Sequence, residues 1–310
     1  MAQNAQAVAD PYTRAARVIG EAISPSYYAS ARGLPVYLWQ HHVLDCGKKR
    51  VIVNGARQGG KSTTIVTRPC WRAKHYPGSL SIIGAAVEKQ AVEDIEKCKD
   101  LLGHDPEVEI TRTSDELIYL ANGSRILVVP ATEKSFRGYS QPDELVLDEA
   151  SRIDDDVYSS GVIAMLTNNP KCVLTMLSTP NGREGFFYRA WKSTRWERFE
   201  VTSPWDVIDD TWDLVPAIPE KEFRLHRLLQ GIHGYYSPRH QDFAEQKFNL
   251  GEMGPRMYRQ EYKCEFVESM GQLFKYADIE YLRSTKGVTL PAAGLVKSGL
   301  PAFVFDDERN

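Results

Sequence analysis

The stretch Gly55-Ala56-Arg57-Gln58-Gly59-Gly60-Lys61-Ser62 constrains this chain more than any other segment. It fits the pattern G-x-x-x-x-G-K-[ST] in full, and that pattern dictates both a backbone shape and a neighbour on each side. The glycines let successive N–H groups turn inward around phosphate oxygens, and a helix starting directly after the loop aims its positive end at the same place. Lys61 adds a point charge for β- and γ-phosphates, and Ser62 offers a hydroxyl of the kind that ligates Mg²⁺. The flanks agree: a short β-branched run at 51–54 leads in, and residues 61–74 read as a helix that begins Lys61-Ser62-Thr63.

The remaining pattern alternates. Buried-strand runs occur at 81–86, 145–147 and 173–177, with a weaker one at 200–202, and a helical spacing covers 88–102. Asn122-Gly123 separates 116–120 from 125–129 and reads as a hairpin turn. Strands alternating with helices imply a mostly parallel sheet with helices on both faces. From Trp205 the character changes: Pro216 and Pro219 precede short helical stretches at 221–230 and 238–250, with no further buried β run. The expected organisation is an N-terminal arm or part of a lid (1–33), a P-loop core (34–204), a small helical lid subdomain (205–268) and a linker or tail (269–310).

A second chemical signal follows the strand at 145–147, where the chain runs into Asp148-Glu149. A carboxylate at a strand's carboxyl end can hold a Mg²⁺ shell, and one residue later Glu149 can polarise a water attacking a γ-phosphate. An acidic pair alone is a weak signal, because helix N-termini often carry acids for their dipole. An interval of roughly ninety residues from the phosphate loop suits an ATP-hydrolysing enzyme. The run Asp154-Asp155-Asp156 reads as a solvated helix start, and Gly231, Gly234 and Pro238 interrupt any helix that could bring His226, His233 and His240 together as a zinc site.

Thirty-eight Lys and Arg against forty-one Asp and Glu give a net charge of −3, so contact with nucleic acid would need a local basic surface. The five cysteines lack C-x-x-C spacing and read as buried thiols of an intracellular protein. The polar start has no secretory pattern, and no apolar run approaches a membrane span.

Several motifs in order resemble the ATPase domain of the large terminase subunit of tailed bacteriophages. They are Leu34-Pro35-Val36-Tyr37-Leu38-Trp39-Gln40 before the phosphate loop, Arg57 within it, Ser135-Phe136-Arg137-Gly138 ahead of the acidic pair, Leu177-Ser178-Thr179-Pro180-Asn181-Gly182 after the next strand, and 257–266 near the end. The resemblance covers roughly residues 34–275. It implies a P-loop core of the additional-strand, catalytic-glutamate type that binds ATP and Mg²⁺. It assigns the nucleotide to Trp39, Gln40 and the loop residues Gly55 to Thr63, the metal to Ser62 and Asp148, catalysis to Glu149 with Arg57 and Arg137, and coupling to Ser178 and Thr179. Arg57 would act in cis and Arg137 from a neighbouring subunit.

What the resemblance implies about function is a motor that packages double-stranded DNA. Its partners would be a portal protein on a procapsid, a small terminase subunit and further copies of itself in a ring, in the host cytoplasm and not at a membrane. The family's nuclease domain has no counterpart here: only 39 residues follow Gly271, so the chain looks like a split gene or a truncated product and is not expected to cut DNA. Two other readings stand beside the motor. One is a helicase-like P-loop ATPase, for which a second core would be needed; the other is a nucleotide-dependent assembly module with negligible turnover.

Overall fold

The protein is described by a computed structural model over residues 11–208 and 211–267. Its strands are β1 (Arg50–Gly55), β2 (Leu80–Ala85), β3 (Ile110–Thr113), β4 (Leu117–Leu120), β5 (Arg125–Pro130), β6 (Glu144–Asp148), β7 (Val173–Ser178), β8 (Glu197–Thr202), β9 (Trp205–Ile208), β10 (Asp213–Pro216) and β11 (Ile232–Tyr236). One sheet takes the order β11-β8-β1-β7-β6-β2-β5-β4-β3, and β9 and β10 form a separate hairpin. Every pairing from β11 to β5 is parallel; β4 and β3 extend the edge as an antiparallel hairpin. Strand β7 lies between β1 and β6, which is the additional-strand arrangement expected from the motifs.

Alternation along each strand splits the core into two layers. Val51 and Val53 of β1 and Val146 of β6 pack with Trp39, Ile65, Ile95 and Leu102 beneath the helices Lys61–His75 and Glu88–Gly103. Ile52 of β1, Leu145 and Leu147 of β6 and Met176 of β7 face the opposite way, onto Phe136, Val162, Phe186 and Phe187. Helices on both faces follow directly from strands buried on both sides.

Two departures from the sequence reading concern the ends of the described chain. A strand, β11, does follow residue 204, and it pairs in parallel with β8 from Ile232↔Arg198 to Tyr236↔Thr202. The sheet thus draws its edge strand from the stretch expected to form a helical lid, and the described residues up to Val267 fall in one compact unit. The helices of that stretch are Glu220–Leu229 and Phe243–Glu261, the second of them kinked at Gly254, whose φ of 75° and ψ of 164° are non-helical ahead of Pro255. The N-terminal stretch, expected as an arm or part of a lid, packs on the core through Tyr28. Its helix Pro25–Ala31 buries Tyr28 and Ala29, and the Arg32 guanidinium pairs with Glu21 and Asp105. The expected tail, 269–310, lies outside the described residues.

The helix Glu133–Arg137 is anchored by one ring. Phe136 is 1 % exposed and fits against two glycines, where a Cβ at Gly84 would lie 2.6 Å from its Cζ and one at Gly161 2.9 Å from its Cβ. Gly84 sits mid-strand on β2 between β5 and β6, where the backbone gives little room to move. Gly84→Ala is expected to destabilise the protein by about 1–3 kcal/mol through overpacking. Phe136→Leu should restore part of that loss in the double variant, read from urea unfolding midpoints; additive losses would mean the strain is relieved elsewhere.

Candidate active site

The phosphate loop leaves β1 at the carboxyl edge of the sheet, with two residues in the left-handed region, Gln58 (φ 56°) and Gly60 (φ 97°). At Gly60 a side chain would also meet Gln40 and Tyr37, with Gln40 Nε2 3.3 Å from the Cβ position. Lys61 is 9 % exposed, and its ammonium folds back to donate to the Gly55 carbonyl at 3.0 Å and the Ala56 carbonyl at 3.1 Å. Ser62 is exposed at the start of the helix and Thr63 half-buried beside it. Next to these two opens a cavity of about 400 Å³, with Leu34, Val66 and Leu101 on its apolar walls and His104 and Lys97 among its polar ones.

The loop's outer backbone is held from far along the chain. The Ala56 amide donates to Val201 O at 2.8 Å, and the Arg57 amide to Glu261 O at 2.7 Å. Nε2 of His240 lies 2.9 Å from the Arg57 carbonyl, so this nitrogen carries the proton. Asn54 Nδ2 donates to Cys264 O at 2.8 Å. The Arg57 side chain itself is exposed.

Because β7 separates β1 from β6, Ser178 stands opposite Asn54 on one side, and Leu177 opposite Asp148 on the other. This puts Ser178 and Thr179 between the phosphate loop and the acidic pair. Ser178 Oγ donates to Glu149 Oε2 at 3.1 Å, and Thr179 Oγ1 to the same oxygen at 3.4 Å. Glu149 has φ 46°, a left-handed conformation that costs a non-glycine residue energy and turns its side chain out of the strand direction. Its Oε1 lies 3.7 Å from Lys61 Nζ, so the lysine faces the loop and the glutamate together.

Asp148 is 3 % exposed, and its oxygens accept from Gln90 Nε2 at 2.6 Å and from the Glu149 amide at 2.9 Å. Burial, reinforced by the nearby Asp94 and Glu149 carboxylates, pushes its pKa up to about 7. A buried carboxylate short of positive charge and an exposed serine hydroxyl form an oxygen-only donor set. That fits a hard divalent cation which takes its other ligands from phosphate and water.

Not every expected residue lies where it was assigned. Trp39 is 1 % exposed and packs in the core with Val43 and Ile65, so its ring is an anchor and not a platform for a base. Gln40 is also buried, and its carboxamide is engaged: Nε2 donates to the Gly60 carbonyl at 2.8 Å, and Oε1 accepts from the Tyr37 amide at 2.7 Å. It shapes the phosphate loop instead of offering a free edge to adenine. Arg137 closes the helix Glu133–Arg137, and its side chain lies outside the described part of the structure. The acidic run does start a helix, with Asp154 at the cap of Asp155–Val157, and Asp155 also accepts from the Phe186 amide at 2.6 Å and pairs with Arg189. Among the residues that sequence reasoning missed, Gln90 meets Asp148, and His240 and Glu261 both meet Arg57. Each of these partners is far off in the chain, and no local pattern marks them.

A family profile described as "Terminase large subunit, T4likevirus-type, N-terminal" matches residues 52–281. The chain belongs to the terminase large subunit family. It is thereby a subunit of a viral DNA-packaging motor. Among solved structures it is similar to the large terminase ATPase domain of Thermus phage P74-26, at 19 % identity and TM-score 0.57, over 79 % of this chain and 99 % of that one. It is also similar to the large terminase of bacteriophage HK97 (17 %, TM-score 0.56, 80 % and 54 %) and to that of a thermophilic bacteriophage in complex with ADP (11 %, 0.51, 74 % and 53 %). The chain spans about half the length of these last two. No curated protein matches it in sequence.

His240 generates a pH prediction for this terminase. Burial is the main cause that lowers its imidazole to about 4, against some help from the Arg57 carbonyl. A folded value below the unfolded one, ~6.5, gives stability that is present above that pH and is lost as pH falls toward the folded value. Between these limits the wild type should lose up to about 3 kcal/mol more than His240→Gln, as measured by paired urea titrations. Parallel curves would assign the acid loss to other groups.

Proposed function

We propose that this subunit hydrolyses ATP, with Mg²⁺, and couples each turnover to moving double-stranded DNA into a procapsid. The observation that carries this reading is the contact of Ser178 and Thr179 with Glu149, which joins the strand end between the two halves of the site to the residue suited to activate water. In this reading the loop amides and Lys61 bind the phosphates, Lys61 leaving the Gly55 and Ala56 carbonyls to do so. The cavity beside Thr63 receives the nucleoside end. Ser62 and Asp148 would hold Mg²⁺, which would supply positive charge to the phosphates.

Glu149 accepts a proton from water as the water oxygen bonds to the γ-phosphorus and the bond to the β-phosphate oxygen breaks. Its hydrogen bonds to Ser178 and Thr179 keep one carboxylate oxygen fixed, and loss of the γ-phosphate is transmitted through the same hydroxyls to β7. Arg57 supplies positive charge in cis and Arg137 from a neighbouring copy in a ring. The portal protein, the procapsid and the small terminase subunit are the partners this reading implies, in the host cytoplasm at the portal vertex.

Lys61→Ala is expected to abolish nucleotide binding together with turnover. Glu149→Gln should bind ATP normally and lose about 10²–10⁴-fold in rate, the share of a positioned base. Phosphate release and equilibrium binding of a fluorescent ATP analogue measure the two separately, and near-normal turnover by Glu149→Gln would remove its assigned role.

If Arg137 acts across a subunit boundary, the site is complete only in an assembly, where such an arginine is worth ~10³–10⁵ in rate. Turnover per subunit should then rise with protein concentration. Mixing Arg137→Ala with Glu149→Gln chains should recover activity that each lacks alone, because some interfaces pair an intact base with an intact arginine. Flat specific activity without complementation would return Arg137 to a role within its own chain.

A further inference from the structure

The catalytic assignment of Glu149 leaves one arginine beside it unexplained. Arg152 lies at the end of the short 3₁₀ turn Ala150–Arg152 that follows Glu149, and its amide donates to the Glu149 carbonyl at 2.9 Å. Its side chain is half exposed, with Nε 4.0 Å from Glu149 Oε2 and Nη2 3.8 Å from Glu261 Oε1. Glu261 is 5 % exposed, and its backbone carbonyl is the one that receives the Arg57 amide at 2.7 Å. A single residue thus touches the phosphate loop with its main chain and reaches toward the water-activating glutamate through one arginine.

We infer that Arg152 and Glu261 form a positioning relay, which sets the place of the Glu149 carboxylate relative to the phosphate loop. The inference rests on the reading of Glu149 as the hydrolytic base. Neither separation is that of a tight bidentate pair, and an ion pair this exposed contributes little to stability. Its geometric position is the informative part. The Glu149 oxygen nearest Arg152 is the one already held by Ser178 and Thr179, so the guanidinium completes a third side of that oxygen's surroundings. At the other end of the relay the buried Glu261 carboxylate draws the guanidinium toward the loop. Without the arginine, Glu149 keeps its hydroxyl partners and Lys61 but loses its tie to the segment that fixes Arg57. Small displacements of a catalytic group cost rate far more than they cost binding.

The test uses the full chain. Arg152→Ala and Glu261→Gln should each lower kcat for ATP about 10–100-fold, with KM and the affinity for a non-hydrolysable ATP analogue within about twofold. Arg152→Lys should recover part of the rate, and the double variant should be no slower than the worse single one, since both break the same link. In the same preparations, amide hydrogen exchange across 149–153 should rise about tenfold in both variants. Wild-type kcat in either variant, losses that multiply in the double variant, or a loss confined to nucleotide affinity would overturn the relay. So would unchanged exchange at 149–153, whatever the turnover. Glu149→Gln serves as the separate control: if it turns over normally, the hydrolytic reading fails, while the exchange data still decide whether the relay exists.

Discussion

The position of one strand, β7, governs the chemistry of this terminase subunit. A phosphate loop and a metal-holding carboxylate on adjacent strands would leave nothing between them to register the state of a bound nucleotide. With β7 paired to β1 on one side and β6 on the other, its carboxyl end must lie between the loop and the acidic pair. The sheet thus brings Ser178 and Thr179 to Glu149 with no loop having to fold over the site. Parallel pairing is what makes this possible, because it puts the carboxyl ends of β1, β7 and β6 on one edge.

A phosphate loop also carries a cost that the rest of the fold meets. Its inward amides are kept for a ligand, so its outward groups need partners elsewhere. They find them in Val201, His240 and Glu261, all from the second half of the chain. The buried Glu144 carboxylate does a similar task underneath, accepting from Arg68 at 2.6 Å and Arg72 at 2.7 Å and tying the helix Lys61–His75 to the start of β6. The phosphate-binding helix and the acidic strand are thereby joined by a buried ion-pair network.

How legible this was in the sequence depended on range. β1, β2, β6 and β7 were readable to within about a residue because strands buried on both faces give continuous apolar runs. Likewise, Asn122-Gly123 marked the β4–β5 turn, where Gly123 has φ 84°. The edge strand β11 escaped notice because Ile232-His233-Gly234-Tyr235-Tyr236 mixes glycine and histidine into a run that packs against a single neighbour. Its Gly234 is where the Arg227 and Phe223 side chains approach, at 2.8 and 2.9 Å from a would-be Cβ, a tertiary reason invisible locally. In the site, the residues given by contiguous motifs lie close together, whereas Trp39 was misplaced because an aromatic residue reads the same whether it faces the core or a ligand. Gln90, His240 and Glu261 owe their roles to contacts across the chain, which no spacing rule encodes.

The long reach of those contacts also sets an order of events during synthesis. The loop at 55–62 leaves the ribosome early, yet the partners that pin it, Val201, His240, Glu261 and Cys264, come from the later part of the described chain. Until then β1 has no β8 beside it, β8 has no β11, and the Arg57 amide has no carbonyl to meet. A nascent chain can form its local hairpin and helices while the nucleotide site stays open, and the helix Phe243–Glu261, whose Glu261 carbonyl receives the Arg57 amide, joins it later. The base of the phosphate loop is thus completed by a carbonyl, that of Cys264, which lies 210 residues beyond the Asn54 side chain it receives.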